Sequence, residues 1–94
     1  MPLTQITETL NRGVQSANLT DTLKFDCGND GVIVLADGAA TNGDQDTDCT
    51  IRISRENLEK LIKGKLNPMT AFAMGKIKVS GDMSVAMKLG ALLK

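Results

Sequence analysis

The fold of this 94-residue chain is decided by one stretch, GKLNPMTAFAMGKIKVSGDMSVAMKL, which covers residues 64–89. Its pattern predicts a helix, a strand and a second helix. Pro68 fits the first position of a helix, where its missing N–H costs nothing, and Gly75 fits the end of that helix. Residues 76–80 alternate between polar and apolar side chains, which predicts a half-buried strand, and Asp82 then caps the terminal helix.

Four of the five methionines fall inside this stretch, namely Met69, Met74, Met83 and Met87. Thioether side chains are flexible and polarizable, so they fill irregular space and adapt to it. Two interpretations are open at this point. The methionines line an adaptable apolar cavity, or they are ordinary filling of the core.

The terminal helix is apolar over more than half of its circumference, which exceeds the stripe of about 100° typical of a surface helix. The apolar positions are Val85, Ala86, Met87, Leu89, Gly90, Leu92 and Leu93. One side of such a helix can pack on a sheet. The other side needs a ligand, a partner chain or a membrane.

The first half of the chain predicts a helix followed by a hairpin. Residues 3–17 carry one apolar stripe at three- and four-residue spacing. Residues 22–27 alternate, and residues 32–36 form a β-branched run that returns after a turn as the second hairpin strand. Residues 39–43 predict no more than a short edge strand.

Residues 48–54 alternate again and predict a strand whose inward side chains are Cys49, Ile51 and Ile53. Ser54 then stands where the N-cap of a helix belongs, and Gly64 fits the end of that helix. One face of this helix is apolar through Leu58, Leu61 and Ile62.

Length and composition predict one globular domain spanning residues 1–94, with 41% apolar and 23% charged residues. The longest purely apolar run, residues 32–36, is too short to span a membrane. The N-terminus has neither the basic start nor the apolar stretch of a signal peptide. We therefore expect a cytoplasmic protein in which Cys27 and Cys49 are reduced, a disulfide between them being the alternative.

Charge is distributed unevenly although the formal net charge is zero. Residues 1–50 hold two basic and eight acidic residues, and residues 51–94 hold nine basic and three acidic residues. The basic half suits transient contact with an anionic membrane surface. The alternative is a solvated surface on which the asymmetry averages out in space.

The sequence argues against an enzyme, a metal site and a nucleic-acid partner. It has no histidine, the commonest general base and metal ligand, and both cysteines fall on inward positions where thiols are inert. An EF-hand-like spacing of acids in residues 44–48 fails at Cys49 and Arg55. The only aromatic residues, Phe25 and Phe72, are predicted to lie in the core, which leaves no platform for stacking bases. No cofactor is expected.

Short motifs through the second half resemble the sterol carrier protein 2 family, also called the non-specific lipid-transfer proteins. The similarity runs without gaps from about residue 48 to residue 89, and the first half supports it more weakly, through Lys24-Phe25 and the hairpin. The motifs are Asp48-Cys49-Thr50-Ile51, Gly64-Lys65-Leu66-Asn67-Pro68, Ala71-Phe72, Gly75-Lys76-Ile77-Lys78, Gly81-Asp82-Met83 and Ala86-Met87-Lys88-Leu89.

This resemblance implies an α/β (α+β) domain with a five-stranded, mostly antiparallel sheet, covered on one face by helices that enclose an apolar tunnel. The implied ligand is a fatty acid, a fatty acyl-CoA, a phospholipid or a sterol. The residues that would line or border the tunnel are Phe25, Ile33, Leu35, Ile51, Ile53, Leu58, Leu61, Ile62, Met69, Phe72, Met74, Ile77, Met83, Met87 and Leu89.

Several departures from the family bear on the ligand: among them, Met74 stands where the family commonly has a polar glutamine, and Gly31-Val32 stands where it often has an aromatic residue. A simple acyl chain is therefore favoured over a sterol. We expect a small soluble lipid-binding or lipid-transfer protein, monomeric or weakly dimeric. The alternative is a structural module whose apolar C-terminal helix binds a partner or a second copy.

Overall fold

The computed structural model of the protein describes residues 2–17 and 20–92, without the side chains of residues 16, 17 and 89–92. It contains four helices, one 3-10 turn and five strands in this described part. In chain order they are α1 (Leu3–Ala17), β1 (Leu23–Asp26), the turn (Gly28–Asp30), β2 (Val32–Ala36), β3 (Ala39–Thr41), β4 (Cys49–Arg52), α2 (Arg55–Ile62), α3 (Pro68–Ala73), β5 (Lys78–Gly81) and α4 (Met83–Leu92).

The five strands form one open sheet in the order β3-β2-β1-β4-β5. The central pair, β1 and β4, is parallel, and the three other pairs are antiparallel. The register places Phe25 opposite both Ile33 and Ile51, so that large apolar side chains form a continuous row across the sheet. The predicted α+β class and mostly antiparallel sheet are confirmed.

The core lies between one face of this sheet and the helices. Helix α1 contributes its predicted stripe, with Ile6, Leu10 and Val14 each at most 3% exposed. Two polar contacts fix α1 against the edge strand. The side-chain oxygen of Asn11 accepts a hydrogen bond from the backbone N–H of Ala40 (2.9 Å), and the Asn42 amide donates to the hydroxyl of Thr7 (2.8 Å).

The helix ends follow the sequence signals. The hydroxyl of Ser54 accepts a hydrogen bond from the backbone N–H of Asn57 (3.1 Å) at the start of α2, and the side chain of Asn67 accepts one from the backbone N–H of Met69 (2.9 Å) at the start of α3. The carboxylate of Asp82 accepts one from the N–H of Ser84 (2.9 Å) at the start of α4. Gly64 adopts a φ of +73°, which a side chain would disfavour, and this residue ends the turn after α2.

Strand β5 begins two residues later than the alternation predicted. The N–H of Lys76 donates to the carbonyl of Ala71 (2.9 Å), so the residue after Gly75 is still held by the end of α3. Ile77 is nevertheless buried, at 6% exposed, and strand pairing starts at Lys78. The remaining strands agree with the prediction to within two residues at either end.

The other face of the sheet carries polar side chains and is partly crossed by the loop before β4. The Lys24 ammonium forms an ion pair with Asp44 of that loop (2.7 Å), and Val34 in the neighbouring strand is buried, at 1% exposed. None of the helices in the described ranges is long and apolar enough to cross a membrane.

Candidate functional site

The fifteen residues predicted to line a lipid site fall into two groups by their exposure. Eight of them are at most 6% exposed and belong to the core cluster between sheet and helices, and Ile62 packs against that cluster. These eight are Phe25, Ile33, Leu35, Ile51, Ile53, Leu58, Leu61 and Ile77. They form the apolar floor of any site on this side of the sheet.

The second group lies at the surface of α3 and α4 and is called here the exposed apolar set. Its exposed fractions are 78% for Met69, 48% for Phe72, 63% for Met74, 49% for Met83 and 79% for Met87. The interpretation of these methionines as core filling does not hold for side chains this exposed. The side chain of Leu89 lies outside the described residues.

Phe72 was predicted to lie in the core, and this prediction is wrong. Helix α3 has only six residues and buries one of them, Ala71. A helix turns by about 100° per residue, so the neighbour of a buried alanine points away from the contact. The short, alanine-anchored helix therefore leaves Phe72 half-exposed.

Buried anchors connect the exposed apolar set to the core. Ala71 in α3, Ile77 before β5 and Val85 in α4 all belong to the core cluster, and each is at most 6% exposed. Phe72 is adjacent in sequence to the first of these anchors. The structure thus brings both groups of predicted residues onto adjoining elements. The enclosed tunnel remains a prediction.

A shallow recess lies on the opposite, largely uncovered face of the sheet, and sequence reasoning did not single it out. Five of its six lining residues are polar or charged, and the guanidinium of Arg52 lies 3.6 Å from the carboxylate of Asp26. The only signal in the sequence was the outward position of these residues in the alternation of their strands. The recess is lined by Asp26, Thr50, Arg52, Lys78, Val79 and Ser80.

Ion pairs between the two halves reduce the charge asymmetry of the sequence. Arg52 pairs with Asp26, Arg55 with Asp30 (3.8 Å), and Lys88 with Asp21. The hydrogen bond and the charge of Asp21 raise the pKa of Lys88. The acids of the first half thus face bases of the second at three places among the described residues, and the asymmetry averages out there.

One basic segment has no acidic residue within it. Residues 60–81 contain five lysines and neither aspartate nor glutamate. Lys63 pairs with Glu59 (3.4 Å), whereas no carboxylate of the described residues lies within 4.0 Å of Lys65, Lys76 or Lys78. Helix α3 lies inside this segment, so exposed apolar side chains and unneutralised lysines occur together.

The two cysteines have the chemistry of structural thiols. Cys27 is 7% exposed and Cys49 is fully buried, and both are free. Burial, with the nearby charges of Asp30 and Asp26, raises the pKa of Cys27 to about 11, and burial also raises the pKa of Cys49. Neither thiol is ionised near neutral pH, so the structure gives no activated nucleophile at these positions.

Solved structures share this architecture. A solution structure of Sterol Carrier Protein-2 from Aedes aegypti, in complex with palmitate, superposes with a TM-score of 0.81 over 99% of this chain and 94% of that chain, at 15% identity. The sterol carrier protein domain 2 of Helicoverpa armigera matches at 38% identity, with a TM-score of 0.62 over 93% of this chain and 72% of that one. The fold is that of small sterol carrier domains.

Sequence comparison places the chain within one family. The model of the SCP-2 sterol transfer family matches residues 3–94. Sterol carrier protein 2 from Gallus gallus is 52% identical over 50 residues, which are 53% of this chain and 9% of that protein. Peroxisomal multifunctional enzyme A from Dictyostelium discoideum is 49% identical over 45 residues, 48% of this chain and 10% of that enzyme. The chain therefore belongs to the SCP-2 sterol transfer family, and it spans only a small part of these longer relatives.

Proposed function

We propose that this protein is a lipid-binding or lipid-transfer domain that holds one fatty acid, fatty acyl-CoA, phospholipid or sterol. The observation that carries the proposal is the exposed apolar set on α3 and α4, which adjoins a buried apolar floor in a fold of the sterol carrier family. The palmitate-bound relative and a palmitated relative, both from Aedes aegypti, support an acyl chain as the first ligand to test.

The driving force would be burial of the ligand's hydrocarbon. Each methylene removed from water contributes about 0.8 kcal/mol, so a sixteen-carbon chain gains on the order of 10 kcal/mol before ordering costs are subtracted. Binding would also be favoured by the exposed methionines, because the ligand would cover their side chains and remove that apolar surface from water. Apolar walls discriminate mainly by length and width, so selectivity among acyl chains should be weak.

The test is titration with a fluorescent fatty acid, followed by displacement with unlabelled palmitate, acyl-CoA and sterol. Phe72→Ala and Met87→Ala should each weaken binding several-fold, because each removes contact area while leaving the core untouched. Thr70→Ala, an exposed polar position on α3, is the matched control and should bind normally. The proposal falls if no natural lipid displaces the probe at micromolar concentration.

A second candidate function rests on Met83 and Met87, which lie one helical turn apart on α4 and are both exposed. In this alternative the chain is an interaction module, and α4 packs against a partner or a second copy. Native mass spectrometry separates the two. Lipid adducts on a monomer favour the carrier, and a lipid-free dimer that Met87→Ser dissociates favours the module.

The proposal is a cytoplasmic carrier without enzymatic activity or cofactor, in which both thiols stay reduced. Carriage requires that the ligand be exchanged with a source. We include in the proposal transient contact of the basic half with an anionic membrane, which would supply or receive the lipid.

A further inference from the structure

We propose that α3 and the lysines on either side of it form a docking surface for an anionic lipid bilayer. This deepens the proposed function by locating the membrane contact, and it rests on that function for its purpose. The surface consists of Met69, Phe72 and Met74 with Lys65 and Lys76, and it is called the α3 surface.

The apolar part of the α3 surface is largely exposed. Met69 is 78% exposed, Met74 is 63% exposed and Phe72 is 48% exposed, while Ala71 alone is buried. Apolar groups clustered at the surface and rimmed by polar residues mark contact sites with proteins or membranes. Flexible methionines suit a partner without a fixed shape, such as the boundary between headgroups and acyl chains.

The charged part of the α3 surface favours a negatively charged lipid partner. Lys65 precedes α3 and Lys76 follows it, both are exposed, and the described residues offer neither of them an ion-pair partner. No acidic residue occurs between residues 60 and 81 to repel an anionic surface. Lysine stems can lie along apolar material while the ammonium groups reach phosphate.

A second copy of the chain fits this surface poorly. A twofold dimer places the same patch of both chains face to face. The lysines of each copy would then face a patch that carries the same two lysines and no carboxylate to compensate them. An anionic bilayer offers a high density of negative charge together with hydrocarbon, and so complements both parts of the surface.

Vesicle co-sedimentation tests the proposal with the whole chain. Vesicles of phosphatidylcholine alone are compared with vesicles containing added phosphatidylserine, at low and high salt. The wild-type protein should bind the anionic vesicles and lose part of that binding as salt rises. Lys65→Gln with Lys76→Gln should lower the affinity about 25-fold, which is roughly fivefold per lysine.

A charge-matched control shows whether vesicle binding depends on the position of the removed charges. Arg12→Gln with Arg52→Gln also removes two positive charges, but from α1 and β4, and should change vesicle affinity at most a few-fold. Met69→Ser with Met74→Ser should abolish the binding that survives at high salt. If that variant is unfolded, the lysine variant and its control still test the proposal.

The proposal is wrong if the protein does not bind anionic vesicles, or if the lysine and arginine variants lose vesicle affinity equally. It is also wrong if the protein forms a dimer that the methionine variant dissociates and shows no vesicle binding. Fatty-acid titration of the lysine variant keeps the two proposals apart. Unchanged fatty-acid binding with lost vesicle binding supports docking by α3. If the protein binds vesicles but no fatty acid, the proposed carrier function is wrong, whereas the docking proposal is retained.

Discussion

Helix α1 and helix α3 both carry large apolar side chains, yet these side chains lie in opposite environments. The stripe of α1 is buried on the sheet, with Ile6, Leu10 and Val14 at most 3% exposed, whereas α3 buries only Ala71 and exposes Met69 and Phe72. The large apolar side chains that are exposed among the described residues all follow Pro68. The comparison indicates that the apolar side chains of α1 stabilise the fold and that those of the α3–α4 region are available for a ligand.

The largest expected effect is the contrast between one core and one surface truncation. Leu10→Ala removes a side chain that is 3% exposed and should lower the free energy of unfolding by about 2–5 kcal/mol. Met69→Ala removes one that is 78% exposed and should change it by no more than about 0.5 kcal/mol. Urea unfolding measures both. Equal losses would show that α3 contributes to the core as much as α1 does.

Gly81 provides the next largest effect, at the junction of β5 and α4. A Cβ placed there would lie 2.5 Å from the carbonyl oxygen of Asp48, and φ is +93°. Gly81→Ala should therefore cost about 2–3 kcal/mol, since backbone strain and a backbone clash add. Gly43→Ala is the control, because nothing lies within 4 Å of its added methyl group. Thermal unfolding that does not separate the two variants would contradict the geometry.

Loss of the cap of α3 should have a smaller and more local effect. Asn67→Ala removes the side chain that accepts hydrogen bonds from Met69 N–H and Thr70 N–H, at a cost of about 1 kcal/mol. Because α3 has a single buried residue, amide exchange should rise within α3 and stay low in α1. Ser54→Ala, at the cap of α2, is the comparison, and its exchange should rise less because Leu58 and Leu61 hold that helix.

The smallest effect concerns pH. Hydrogen bonds from the hydroxyl and the backbone N–H of Ser84 lower the pKa of Asp82 in the folded protein. A lowered pKa means that the unfolded chain takes up the proton first as pH falls. The stabilising contribution is thus complete above the usual aspartate pKa of 3.8 and is lost as pH falls from there through the folded pKa. Asp82→Asn should flatten the acid limb of stability against pH, and an unchanged limb would contradict the assignment.

Local patterns predicted the fold well because each element carries its own signals. Ser54 and Asp82 cap their helices and Pro68 begins α3 as expected, and the alternation of residues 22–27 and 48–54 gives the correct buried faces. The start of β5 was missed by two residues because the turn at Gly75 continues through Lys76. The parallel pairing of β1 with β4 joins residues far apart in sequence, and no short window encodes it.

The candidate site was harder to predict, because periodicity shows which side chains share a face and not whether anything covers that face. Phe72 illustrates this: its apolar neighbours suggested a core position, yet a six-residue helix anchored by Ala71 leaves it half-exposed. The division of the predicted residues into a buried floor and an exposed set depends on three-dimensional packing. Lys65, Lys76 and Lys78 were visible in the sequence, but only the structure shows that no carboxylate of the described residues lies within 4.0 Å of them.

Because β4 pairs with β1, the second half of the chain depends on the first half to complete its part of the sheet. Residues 48–89 carry the family motifs and contain strands β4 and β5. The inner neighbour of β4 in the sheet is β1, which belongs to the first half of the chain. A peptide cut to the motif-bearing segment would leave Ile51 beside an unpaired backbone edge, prone to collapse or aggregate. The segment that carries the motifs thus depends on the first half for its shape, and a transplanted site would have to include β1 and β2.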